Sequence, residues 1–225
     1  MLKAIIFDFD GVIANSEPLH FQGFRDVLAE EGVTLAEGDY YARYLGYNDI
    51  GVFRAIGSER GAGWTPPVIR DLVARKAVRL EALERDVSIL FPGAANAVRR
   101  AAAAVPLAIA SGALGAEIRR VLDREDLSRY FPAIVSAEDT PENKPAPDPY
   151  LHALARLADV LGERLSPGSC VAIEDSHWGL ESAHAAGLRT VAVTHTYDAG
   201  ELTGADLVIA SLDELDLRAL GRLCS

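Results

Sequence analysis

The chain has 225 residues, 49% of them apolar, and a formal net charge of −11 at pH 7, which suits one large domain or a domain with a smaller companion. That acidic balance speaks against nucleic acid as a partner, which needs clustered Lys and Arg, and against an anionic membrane surface. Cys170 and Cys224 imply no disulfide framework, no apolar run reaches spanning length, and no charged leader opens the chain, so the expectation is a cytoplasmic monomer or weak dimer.

Taken in order, the first apolar run, Leu2 to Phe7, reads as a core strand. From about Ser16 to Ser88 the spacing is helical, in the groups Phe21/Phe24/Val27/Leu28, Tyr40/Tyr41/Tyr44/Leu45, Val68/Leu72/Val73 and Val78/Leu80/Leu83. Strand runs then alternate with helical segments. Leu107 to Ala110, Ala133 to Val135, Cys170 to Ile173, Thr190 to Val193 and Asp206 to Ala210 read as strands. Ala94 to Ala104, Ala116 to Asp123, Pro149 to Leu161 and Gly179 to Ala186 read as helices. Such alternation predicts an α/β protein with a Rossmann-like parallel sheet covered on both faces. The long helical interval predicts an inserted helical cap. Expected boundaries are 1–15 and 89–225 for the α/β core and 16–88 for the cap.

Ligands of open parallel sheets bind beyond the carboxyl ends of the strands, so the residues leaving each strand carry the functional argument. Asp8 and Asp10 follow the first run, with Gly11 behind them. Taken alone, this is equally a solvated strand end with an Asp-Gly turn. Ser111-Gly112 leaves the second strand and reads as the opening of a helix, where a hydroxyl and backbone N–H groups favour an anion but an ordinary Ser cap is the simpler account. Lys144 lies in a loop stiffened by Pro145, Pro147 and Pro149, and Glu174-Asp175-Ser176 leaves the fourth strand. Jointly, two acid pairs offer hard oxygen ligands for Mg²⁺, while Ser111, Gly112 and Lys144 offer donors and positive charge for a phosphoryl group.

These residues resemble the haloacid dehalogenase superfamily, in its helical-cap phosphatase and sugar-phosphomutase branch. Asp8-Phe9-Asp10-Gly11-Val12, Ser111-Gly112, Lys144-Pro145-Ala146-Pro147-Asp148 and Glu174-Asp175-Ser176 look like its four motifs, in family order. The resemblance implies that Asp8 attacks phosphorus to form an aspartyl-phosphate and that Asp10 serves as general acid and then general base. It implies Mg²⁺ held by Asp8, the Asp10 main-chain carbonyl, Asp175 and Glu174, and a phosphoryl group held by Ser111, Gly112 and Lys144. Asp10 favours phosphate chemistry, because dehalogenases of the superfamily lack an acid there. The substrate would be a small phosphorylated metabolite, a sugar phosphate or a phosphoglycolate-like compound.

His20 resembles the segment leading into the cap and is a candidate for substrate or hinge contact, as is Lys76 in Arg75-Lys76, although helical Arg-Lys pairs tend to face solvent. Beta-phosphoglucomutases carry an Arg shortly after a cap glycine, where aligning Gly46-Tyr47-Asn48-Asp49 places Asp49. Their second motif continues through a Lys where this chain has Ala113-Leu114. Both departures favour water over a second sugar hydroxyl as phosphoryl acceptor and leave a sugar phosphomutase as the alternative. A phospho-accepting signalling module shares the residue types, but is shorter and has no helical insertion. A dinucleotide fingerprint is missing after the first strand.

Overall fold

The computed structural model describes residues 1–45, 47–85 and 87–225; Gly46, the glycine of the mutase alignment, lies outside them. The strands are β1 (Ala4–Phe7), β2 (Leu107–Ala110), β3 (Ala133–Val135), β4 (Cys170–Glu174), β5 (Arg189–Val193) and β6 (Leu207–Ile209). The helices are α1 (Glu17–Glu30), α2 (Glu37–Arg43), α3 (Asp49–Glu59), α4 (Pro66–Glu84), α5 (Ala94–Ala102), α6 (Gly115–Arg124), α7 (Asp148–Leu161), α8 (His177–Ala185) and α9 (Leu217–Leu223). Among the described residues no helix is long and apolar enough to cross a membrane. Both cysteines are free and buried.

All pairings are parallel, in the order β3-β2-β1-β4-β5-β6. The short apolar runs form strands because both sheet faces are covered. On one face Ala4, Ile6, Ala108, Ala110 and Ala172 meet Tyr150, Ala153, Leu154 and Leu157 of α7 and Ala183 of α8. The many alanines let those helices approach closely. The alternate residues Ile5, Phe7, Ile109 and Ile173 are equally buried, with Phe7 edge-on to Phe131 at 6.1 Å between centroids. From β1 the chain builds outward through β2 and β3 on one side, then returns to build β4, β5 and β6 on the other. The reversal opens a crevice beyond the carboxyl ends of β1 and β4. Their register pairs Phe7 with Ile173, so Asp8 and Glu174 emerge side by side.

The chain divides into two compact units, Met1–Asn15 with Ile89–Ser225, and Ser16–Ser88. The second unit holds α1 to α4. Its core joins Phe21, Phe24, Val27 and Leu28 of α1 to Tyr40, Val52, Phe53, Ile56, Ile69 and Leu72. Asn48 caps α3 by accepting from Gly51 N–H at 2.8 Å. Two apolar expectations fail on α4: Val78 is 71% exposed and Val68 38%. The stripe that turns inward is Ile69, Leu72, Lys76 and Leu80, at three- and four-residue spacing. Lys76 thus takes a buried place on an otherwise apolar stripe.

Candidate active site

β1 delivers Asp8 into a tight loop in which Gly11 N–H donates to the Ala14 carbonyl at 2.9 Å and Ile13 N–H to the Phe9 carbonyl at 2.9 Å. Gly11 has φ +75°, and a Cβ there would lie 1.9 Å from Oδ2 of Asp175, so conformation and space both demand glycine. Asp8 Oδ1 accepts from Phe9 N–H at 2.7 Å, and Oδ2 lies 2.9 Å from Lys144 Nζ. Asp10 stands in the same loop, half-exposed, and forms a bridge to Ala14.

Lys144 reaches the crevice from the loop after β3, in a cis peptide with Pro145. That loop is pinned where the Ser182 hydroxyl donates to the Ala146 carbonyl at 2.6 Å. Lys144 Nζ also donates to Glu174 Oε1 at 2.6 Å, which accepts a second bond from the Tyr150 hydroxyl at 2.6 Å. The other oxygen, Oε2, accepts from Asp175 N–H at 3.2 Å and Ser176 Oγ at 3.4 Å. Glu174 is wholly buried, and both its oxygens are already engaged by the protein. Ser176 in turn caps α8 by accepting from Gly179 N–H at 3.1 Å.

Oxygens of Asp8, Glu174 and Asp175 lie within 4.8 Å of one another, all three residues buried. Burial raises the Asp8 carboxyl to about 6, against the pull of Lys144, with Glu174 adding to the rise. Burial, then the Glu174 and Asp8 charges, push Asp175 well above its ordinary range. Burial pulls the Lys144 ammonium down, but Asp8 and Glu174 outweigh it and the net shift is upward. Three buried carboxylates facing one buried ammonium leave excess negative charge that only protons or a further cation can offset. An all-oxygen donor set fits a hard divalent cation.

Among the residues singled out in the sequence, Asp8, Lys144, Glu174 and Asp175 meet directly. Ser111 and Gly112 leave β2, the neighbour of β1, but they do not open a helix: α6 starts at Gly115. The buried Ser111 Oγ accepts from Ala113 N–H at 3.1 Å, holding a turn ahead of the helix. A Cβ at Gly112 would meet nothing within 4 Å, so this turn leaves open space. The expectation of a Ser at a helix start fails because Ala113-Leu114 continues the turn.

His20 and Lys76 belong to the helical unit and meet each other there. Lys76 is fully buried, its Nζ 2.9 Å from His20 Nδ1, 2.8 Å from Asp49 Oδ1 and 4.8 Å from the Phe24 ring centroid. The solvated Arg-Lys pair is therefore split, since Arg75 lies at the surface against Glu30 and Glu31.

Sequence reasoning passed over Tyr150, His195 and Thr196. Thr196 donates its hydroxyl to Asp175 Oδ2, and His195 Nδ1 lies 2.9 Å from the Gly11 carbonyl. The rule that chemistry sits at strand ends, applied also to β5, would have found the last two. Tyr150 carried no signal beyond its place in the first turn of α7.

Comparison with known proteins extends over nearly all of the chain. A profile of haloacid dehalogenase-like hydrolases matches residues 5–193. Protein CbbY of Rhodobacter capsulatus is 33% identical, with 99% of both chains covered. Hexitol phosphatase B of Escherichia coli K12 is 31% identical, covering 97% of this chain and 96% of that protein. The crystal structure of CbbY from Rhodobacter sphaeroides in complex with phosphate superposes with a TM-score of 0.83 at 28% identity, covering 98% and 99% of the two chains. This chain belongs to the haloacid dehalogenase-like hydrolase family.

Proposed function

We propose that this enzyme is a phosphatase that hydrolyses a small phosphorylated sugar through a phosphoryl group carried transiently on Asp8. The observation that carries the proposal is the Asp8 carboxylate, fixed by Phe9 N–H and Lys144 Nζ beside Asp175 at the mouth of the β1–β4 crevice. The names of its relatives support the substrate class: one is a hexitol phosphatase, and another relative's structure holds phosphate.

Asp8 and Asp175, with the Asp10 main-chain carbonyl, are the oxygens that would hold Mg²⁺, which neutralises charge on the phosphoryl oxygens when bound. Glu174, expected among the ligands, lies in the same oxygen cluster and would complete the set, while its Oε1 also holds Lys144 in place. Lys144 screens the approach of an anion to a buried carboxylate and steadies the phosphoryl group. Ser111 and Gly112 supply donors from the turn after β2, where backbone can approach an anion. Asp8 attacks phosphorus, the ester oxygen leaves with the proton of Asp10, and Asp10 then takes a proton from the water that frees phosphate and restores Asp8. The helical unit is proposed to act as the cap that selects the leaving group and excludes water. Hydrolysis is favoured over mutase activity because Asp49 holds Lys76 inside the helical unit, and a mutase must grip a second phosphate.

The test is release of inorganic phosphate from a panel of sugar phosphates by purified protein with Mg²⁺. Asp8→Asn should abolish release. Undiminished turnover in Asp8→Asn would overturn the mechanism, and isomerised hexose phosphate without phosphate release would make the mutase reading correct.

A further inference from the structure

The loop after β5 places two consecutive polar side chains on the two acidic loops. Thr196 donates its hydroxyl to Oδ2 of Asp175, beyond β4. His195, one residue earlier, reaches the other loop: its Nδ1 lies 2.9 Å from the carbonyl oxygen of Gly11, beyond β1. A carbonyl only accepts, so this imidazole carries its proton on Nδ1. Its ring is stacked on Phe91, with centroids 3.8 Å apart and planes inclined by 19°. Phe91 is itself tied back to the same loop, its N–H donating to the Ile13 carbonyl at 3.0 Å. The glycine that receives His195 is the one whose missing Cβ makes room for Asp175. Loop, carboxylate, imidazole and hydroxyl thus form one packed group, closed through adjacent positions of a third strand end.

We infer that His195 and Thr196 act together as a positioning clamp that fixes the spacing between the Asp8–Gly11 loop and the Asp175 carboxylate, and so sets the affinity of the site for its divalent cation. The inference rests on the proposed function, because it needs the acidic pair to be a cation site. Neither side chain is a catalytic residue: each acts through the group it holds. Its force comes from geometry. β1 and β4 are bonded along their length, with Asp8 N–H still donating to the Ile173 carbonyl at 2.9 Å, but Gly11 and Asp175 lie past the strand ends, where ladder bonds no longer set the distance. Residues that orient ligands from behind typically tune metal affinity by tenfold to a hundredfold.

The experiment measures Mn²⁺ binding to the full-length, metal-free protein by electron paramagnetic resonance, with Mn²⁺ as a spectroscopic stand-in for Mg²⁺. Thr196→Val keeps the shape and deletes the donor, whereas Thr196→Ser restores it. His195→Leu deletes the other donor, whereas His195→Asn places an amide N–H near the position of Nδ1. The valine and leucine variants should weaken binding by roughly tenfold to a hundredfold, and the serine and asparagine variants should recover most of it. Thr196→Ala serves in place of the valine variant if the latter does not fold. Parent-like Mn²⁺ affinity in the deletion variants overturns the clamp. So does weakened binding matched by an equal loss of metal-free thermal stability, since the side chains would then be merely structural. A parent protein that binds no Mn²⁺ and hydrolyses no phosphomonoester overturns instead the function beneath it.

Discussion

Replacing Gly179 by Ala adds one methyl group to α8, a change that in an open helix stabilises by about 1 kcal/mol. Here the sign should reverse. A Cβ at Gly179 would lie 2.0 Å from Cδ of Glu174 and 2.0 and 2.1 Å from its oxygens, far inside van der Waals contact. Glu174 is wholly buried and cannot move outward without loosening the bonds of 2.6 Å that it receives from Lys144 and Tyr150. Stranding a buried charge from its partner costs about 3–5 kcal/mol, which exceeds the helix gain. The expected net effect is a loss of about 2–4 kcal/mol, read from urea unfolding followed by circular dichroism. The control is Gly221→Ala in α9, where an added Cβ meets nothing within 4 Å; that variant should be stabilised by about 0.5–1 kcal/mol. Phosphate release should fall in Gly179→Ala as well, because Lys144 loses the carboxylate that holds it. If the two glycine variants shift stability alike, the view of Glu174 as a rigid buried strut is wrong.

Three further outcomes follow from the charges. Folding raises the Asp8 carboxyl from 3.8 to about 6 and moves Asp175 in the same direction, so the metal-free fold favours their protonated forms. The Asp8 contribution is fully present below about pH 4 and is lost as pH rises through about 6. Thermal stabilisation by added Mg²⁺ should therefore be small near pH 5 and grow toward pH 7.5; a flat response would refute the acidic pair as its seat. Lys76→Met should leave Asp49 without its buried partner and destabilise the protein by about 2–4 kcal/mol, a little less than a fully buried pair because Asp49 is partly exposed; unchanged stability would show that ion pair to be dispensable. Tyr150→Phe should cost about 1–3 kcal/mol by removing one donor to Glu174, measured by the same unfolding assay, and a neutral result would count against the saturated-carboxylate account.

Several features were decided by the sequence alone. Four short apolar runs followed by Asp8 and Asp10, Ser111 and Gly112, Lys144, and Glu174 and Asp175 determine both the parallel sheet and the crevice at its carboxyl end. Strand period and length place these residues at strand ends, and Lys144 in the loop after β3, without reference to any partner. The helical spacing from Ser16 to Ser88 likewise needs no structure to be recognised. Partnership is different, because it joins residues distant along the chain. Lys144 and Glu174 are separated by 30 positions and Asp49 and Lys76 by 27, and nothing local records which acid a lysine will find. Tertiary structure therefore decided that Oε1 of Glu174 receives both Lys144 and Tyr150. It also decided that Lys76 turns inward on α4 where Val78 turns out. Asp8 was marked by its place after a buried strand; His195 and Thr196 stand just past β5 in the same way, but their partners, the Gly11 carbonyl and Asp175, became visible only when β5 was laid beside β4.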